Sequence, residues 1–108
     1  MGIQFAREPK QPGETLRYSM EFKPGANEAL AEGDALTGSP SIVVRARSDN
    51  SVVTSSMVFG TPSRSGNIVY FFIMSGTDGE SYKVTITCDT VYGENDVQED
   101  LVIFVKEL

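Results

Sequence analysis

Ser81–Val91 reads SYKVTITCDTV, and its alternation decides the fold. Tyr82, Val84, Ile86 and Cys88 share one parity, and Lys83, Thr85, Thr87 and Asp89 share the other. A period of two with one apolar side marks a strand half-buried in a sheet. Downstream, Tyr92-Gly93-Glu94-Asn95 is a hairpin-loop signal, and Val97–Val105 returns with Leu101, Ile103 and Val105 on the core parity. The inner residues of these two strands are expected to pack together. Glu99 falls on the core parity, so that end of the strand is exposed or a bulge shifts its register.

Working back towards the N-terminus, Gly76-Thr77-Asp78-Gly79 turns the chain out of another strand, Ile68–Ser75. This one is apolar on both sides. Ile68, Tyr70, Phe72 and Met74 form one set, and Val69, Phe71 and Ile73 form the other. Gly60–Asn67 (GTPSRSGN) reads as loop, Val52–Phe59 as a weaker strand, and Ser41–Ser48 as a strand centred on Ile42, Val43 and Val44. Gly33–Ser41 is loop or irregular strand. Asn27–Glu32 (NEALAE) is the one helical turn, with Asn27 to cap it and Gly33 to end it. Thr15–Phe22 alternates cleanly, Leu16, Tyr18, Met20 and Phe22 against Arg17, Ser19 and Glu21. Residues 1–13 are polar and carry Pro9 and Pro12, which suits an extended arm with an edge strand at Ile3–Phe5.

Six to seven short strands with a turn every ~8–12 residues predict an all-β, immunoglobulin-like antiparallel β-sandwich over residues 14–108, with one short helical turn. The Cys…Trp…Cys signature of antibody domains is missing, since the chain has no Trp and one Cys. A small β-barrel is the competing fold.

Composition narrows the function. The 108 residues carry 15 acidic and 9 basic side chains, a net charge of −6. That disfavours binding to nucleic acid through general electrostatics. Histidine is absent, which removes histidine-based catalytic and metal sites. The longest apolar run, Ile68–Met74, is far short of the ~20 residues of a membrane span. The N-terminus lacks the apolar region of a secretory signal, so secretion by a signal peptide is not expected. Cys88 has no partner for an internal disulfide, and its place on an inward parity makes it a small core residue. Asp78-Gly79-Glu80 and Glu94-Asn95-Asp96 lie at opposite ends of one strand, too far apart to share a Ca²⁺ ion. No serine has a base at a recognisable spacing, and no phosphate or dinucleotide loop is present. The chain is therefore expected to be no enzyme, with no catalytic residue, metal or cofactor. Arg45 and Arg47 project from one side of a strand, as a salt-bridged sheet surface or as a partner contact.

Several pieces in order along the chain resemble small structural proteins encoded in tailed-phage and prophage morphogenesis clusters, of the neck, tail or fibre-adaptor type. Lys10-Gln11-Pro12-Gly13-Glu14-Thr15-Leu16-Arg17-Tyr18 is similar to their opening, and Gly33-Asp34 to an internal step. Ser75-Gly76-Thr77, Gly79, Tyr82, Val84, Gly93 and Val105-Lys106-Glu107 follow in the same order. Gln11, Thr77 and the Trp-free Ile42–Val44 depart from the pattern. The resemblance implies an Ig-like sandwich and a non-catalytic virion component that docks neck, tail or fibre parts. Its partners would be other virion or assembly proteins, self-association included, with no nucleic acid, membrane or small-molecule substrate. Its location would be the virion, or the host cytoplasm during assembly. The alternative function is a bacterial Ig-like carbohydrate-binding or adhesive module.

The resemblance also places the Ile68 set inside. Val69, Phe71 and Ile73 then become an outward stripe, covered either by the Asn27–Glu32 turn or by another chain. Together with Arg45 and Arg47 they are the expected partner-contact residues.

Overall fold

Seven strands and one helical turn build two sheets in a computed structural model that describes residues 3–25, 30–93 and 97–107. The strands are β1 (Ile3–Phe5), β2 (Leu16–Glu21), β3 (Leu36–Ala46), β4 (Val58–Ser65), β5 (Ile68–Ile73), β6 (Ser81–Thr90) and β7 (Val97–Phe104). The turn α1 (Thr54–Met57) lies between β3 and β4. The larger sheet has the order β1-β7-β6-β3 and the smaller one β2-β5-β4. Both contribute to one apolar core: Val44, Val84, Ile86 and Ile103 from the first, Met20, Val69, Phe71 and Ile73 from the second.

The β6–β7 hairpin forms as its alternation predicts. Tyr82 pairs with Ile103, Val84 with Leu101 and Cys88 with Val97, and all six are buried. Val105, beyond the end of β7, is buried as well. The register runs without a shift, so no bulge accommodates Glu99, which is half-buried opposite Ile86. Burial raises the Cys88 pKa, and its thiol donates to the carbonyl of Thr37 at 3.3 Å. The loop residues 94–96 lie outside the described residues.

One expectation is reversed. Val69, Phe71 and Ile73 are in the core at 0–1% exposure, while Phe72 is 39% exposed and Ile68, Tyr70 and Met74 are half-buried. The cause is the neighbouring strand. β5 pairs with β2 in the register Leu16–Ile73, Tyr18–Phe71 and Met20–Val69, and directly paired residues share a side of the sheet. The unambiguous alternation of β2 therefore fixes the parity of β5, whose own two apolar sides express no preference.

Three further differences follow from pairing. The Val52–Phe59 stretch is not a single strand: Val52 bridges Arg45, α1 follows, and β4 begins at Val58. Gly60–Asn67 is not wholly loop, because Ser63, Arg64 and Ser65 pair with β5, the most apolar strand of the chain. The ladder breaks between Phe59 and Ser63, where Gly60 takes a positive φ of 74° and Pro62 has no N–H to give. The larger sheet is mixed, not antiparallel, because β1 joins β7 in parallel. β1 and β7 are not connected in sequence, so no hairpin dictates their direction. Ala6 N–H to Val102 C=O and Lys10 N–H to Phe104 C=O, both 2.8 Å, continue this pairing past the strand. Of the expected helical turn at Asn27–Glu32, residues 27–29 lie outside the described residues. Leu30 is instead an isolated bridge to Pro24 and is buried in the core.

Candidate functional site

Two side chains hold the irregular parts of the chain in place. Lys10 is fully buried, and its ammonium donates to the carbonyls of Ser75 (2.6 Å) and Gln11 (2.8 Å). Burial lowers its pKa, and the carboxylate of Glu14 partly offsets that. Glu14 also accepts from the N–H of Gln11 at 2.8 Å, so the Lys10–Glu14 motif is a closed turn that fastens the N-terminal segment to the β5–β6 connection. Asp34 does the same at the other end of the fold. Its carboxylate accepts from Ala35 N–H (2.8 Å) and Tyr92 N–H (3.0 Å). Burial pushes its pKa up, but those donors, with the Thr90 hydroxyl and Val91 N–H, outweigh burial and hold it below the usual range.

Tyr82 is the third fixed point. It opens β6, is buried, and its hydroxyl accepts from the N–H of Thr77 at 2.9 Å. Tyr18 behaves oppositely. Its hydroxyl is buried without a hydrogen-bond partner among the described residues, and burial, with Glu14 nearby, raises its pKa to about 12.

The framework presents two aromatic surfaces on opposite outer sides. On the smaller sheet, Phe59 of β4 pairs with Phe72 of β5 as an edge-to-face contact with centroids 6.3 Å apart. The Arg17 guanidinium sits 4.3 Å over the Tyr70 ring on the same side. On the larger sheet, Phe5 of β1 stacks with Phe104 of β7 at 6.4 Å. Ile3 lies beside them at 50% exposure. The expected contact residues are thus divided. Val69, Phe71 and Ile73 are core and present nothing to a partner. Arg45 and Arg47 do come together: with Lys83, which pairs with Arg45 across β3–β6, they line a recess of about 290 Å³ that Ile3, Ala46 and Asn50 complete. None of these three cations makes an ion pair with a described residue.

Sequence reasoning missed Phe72 by placing it inside, and gave no role to Phe59, Phe5 or Phe104. The readable signal was Arg17-Tyr18-Ser19, whose polar parity marks the outer side and, through pairing, points to Phe72 and Tyr70. Among the described residues, no three cysteine, aspartate or glutamate side chains converge as metal ligands would.

No curated protein and no solved structure matches the chain. A family model, described as the podophage GP4 fiber-tail adaptor protein gp77, matches residues 10–103. The match begins at the buried Lys10 and runs from β2 through β6 and all but the last residue of β7, and on it the chain belongs to the Gp77 family of phage fiber-tail adaptors, non-catalytic structural components of the virion.

Proposed function

We propose that this domain joins a fibre part to a tail part by holding one on each outer sheet surface. The observation that carries this is the pair of exposed aromatic patches, Phe59–Phe72 and Phe5–Phe104, on opposite sides of one core. An adaptor needs two surfaces that can be occupied at once, and bare apolar patches on a folded domain mark such contacts. Arg45 and Arg47, with Lys83, form a basic rim beside the second patch. In this reading residues 1–13 are an N-terminal arm whose β1 extends that surface, and residues 14–108 are the sandwich domain it joins.

We read the sandwich as Ig-like. Supporting this, β2-β5-β4 faced by β7-β6-β3 reproduces the B-E-D and G-F-C strand orders of constant-type domains. Tyr82, at the start of the sixth strand and bonded to backbone five residues upstream, resembles the tyrosine corner of such folds. The partners we propose are virion and assembly proteins, without nucleic acid, membrane or small molecule. The chain would meet them in the host cytoplasm during assembly, without secretion by a signal peptide.

The test is co-purification of patch variants with fibre and tail proteins. Phe59→Ser/Phe72→Ser should lose one partner and keep the other, and Phe5→Ser/Phe104→Ser should do the reverse. Retention of both partners by both variants would remove the two-surface reading.

A further inference from the structure

A sheet edge is a row of unpaired N–H and C=O groups, and folds usually blunt it. Three of the four edges here are blunted. β1 is three residues long. β3 is covered: Val53 N–H donates to Val44 C=O (2.8 Å), Val44 N–H to the Thr54 hydroxyl (3.0 Å), and Arg64 reaches the carbonyl of Gly38 (3.0 Å). β4 is broken by its register shift and by Pro62.

β2 is different. Its register with β5 is unbroken over all six residues, it contains neither Gly nor Pro, and it borders its sheet. The residues Ala6–Pro9 pass near it but leave a groove of about 570 Å³, lined also by Leu16, Tyr18 and Ser19. Phe22 N–H donates to Asn67 C=O at 2.8 Å, so residues of even number along β2 direct their main chain at β5. By the antiparallel alternation, the main-chain groups of Arg17, Ser19 and Glu21 point away, to the free edge.

These three residues form a self-complementary row. If a second β2 lies antiparallel against the first with Ser19 opposite Ser19, then Arg17 of each copy lies opposite Glu21 of the other. Each of the pairs can exchange both main-chain hydrogen bonds, and directly opposed charges of opposite sign stabilise such a pairing. We propose that two copies of this chain associate edge to edge through β2, antiparallel about Ser19, so that the two smaller sheets become one continuous sheet. The pairing requires no fibre or tail protein and stands independently of the adaptor reading.

The experiment is sedimentation velocity on the full chain over a wide concentration series. Glu21→Arg alone sets arginine against arginine, and Arg17→Glu alone sets glutamate against glutamate. Each should weaken self-association by about tenfold. An equimolar mixture of the two restores both opposite-charge pairs and should recover the original affinity to within about threefold. Ser19→Pro removes an outward N–H that pairs with no described strand, a position where an edge strand tolerates proline. It should abolish association while circular dichroism still reports a folded sheet. Should Arg17→Glu unfold through loss of its Tyr70 contact, Glu21→Arg and Ser19→Pro still decide. A wild-type chain that is monomeric throughout overturns the proposal. So does a dimer indifferent to Ser19→Pro, or a charge-swapped mixture of two folded variants that fails to recover.

Discussion

Replacing Phe71 and Phe72 separately by alanine tests the parity of β5, on which both the core and the outer aromatic patch depend. The residues are neighbours of identical chemistry. Phe71 is 1% exposed and stacks on Tyr18 with ring centroids 5.9 Å apart. Its truncation removes a fully buried ring and leaves a cavity between the sheets, a loss of about 3–5 kcal/mol. Phe72 is 39% exposed, and its described ring partner is Phe59. Losing that edge-to-face contact costs about 0.5–1.5 kcal/mol. Urea unfolding followed by circular dichroism separates the two. With a slope of about 1.5 kcal/mol per molar urea, Phe71→Ala lowers the midpoint by about 2–3 M and Phe72→Ala by less than about 1 M. If Phe72→Ala is the more costly, the register of β2 against β5 is wrong and the outer patch does not exist.

Tyr18→Phe removes a buried hydroxyl that bonds to no described residue and should raise stability at neutral pH by about 1 kcal/mol in the same assay. Because the folded-state pKa of Tyr18 is raised to about 12 against an ordinary 10.0, its contribution is complete below pH 10 and is lost as pH rises through 12. The alkaline fall should therefore flatten in Tyr18→Phe. Tyr82→Phe leaves the N–H of Thr77 without its acceptor and should destabilise by about 1–3 kcal/mol, read as a lowered thermal midpoint. The Asp34 carboxyl, held below its ordinary pKa, stabilises above the unfolded-state value and loses that contribution as pH falls through the folded one. Asp34→Asn should thus show a shallower acid limb in unfolding measured from pH 6 downward.

The strands whose apolar residues lie on one side were legible from the chain alone. Ser81–Val91, Val97–Val105 and Thr15–Phe22 each became a strand within a residue or two of the alternation, because one polar side and one apolar side leave a single way to face the core. β5 shows where that reasoning stops. Phe71 and Phe72 are indistinguishable by periodicity, and only pairing with Tyr18 and Arg17 separates them. β4 shows a second limit. Gly60, Thr61 and Pro62 have loop composition, yet the adjacent apolar strand recruits the segment and concentrates the misfit in one bulge. Lys10 shows a third. A lysine beside two prolines reads as surface, and nothing local reveals that a carbonyl 65 residues away will accept its hydrogen bond. The outer patch on the larger sheet was illegible for a related reason, since Phe5 and Phe104 meet through the parallel β1–β7 pairing of the two ends of the chain.

Hydroxyl-radical footprinting of the chain, free and within the assembled fibre–tail complex, tests most directly the claim that both outer surfaces are occupied. Phe59 and Phe72 on one side, and Phe5 and Phe104 on the other, should all lose reactivity on assembly, while the buried Phe71 stays unreactive in both states. Protection confined to one pair, or to neither, would contradict it.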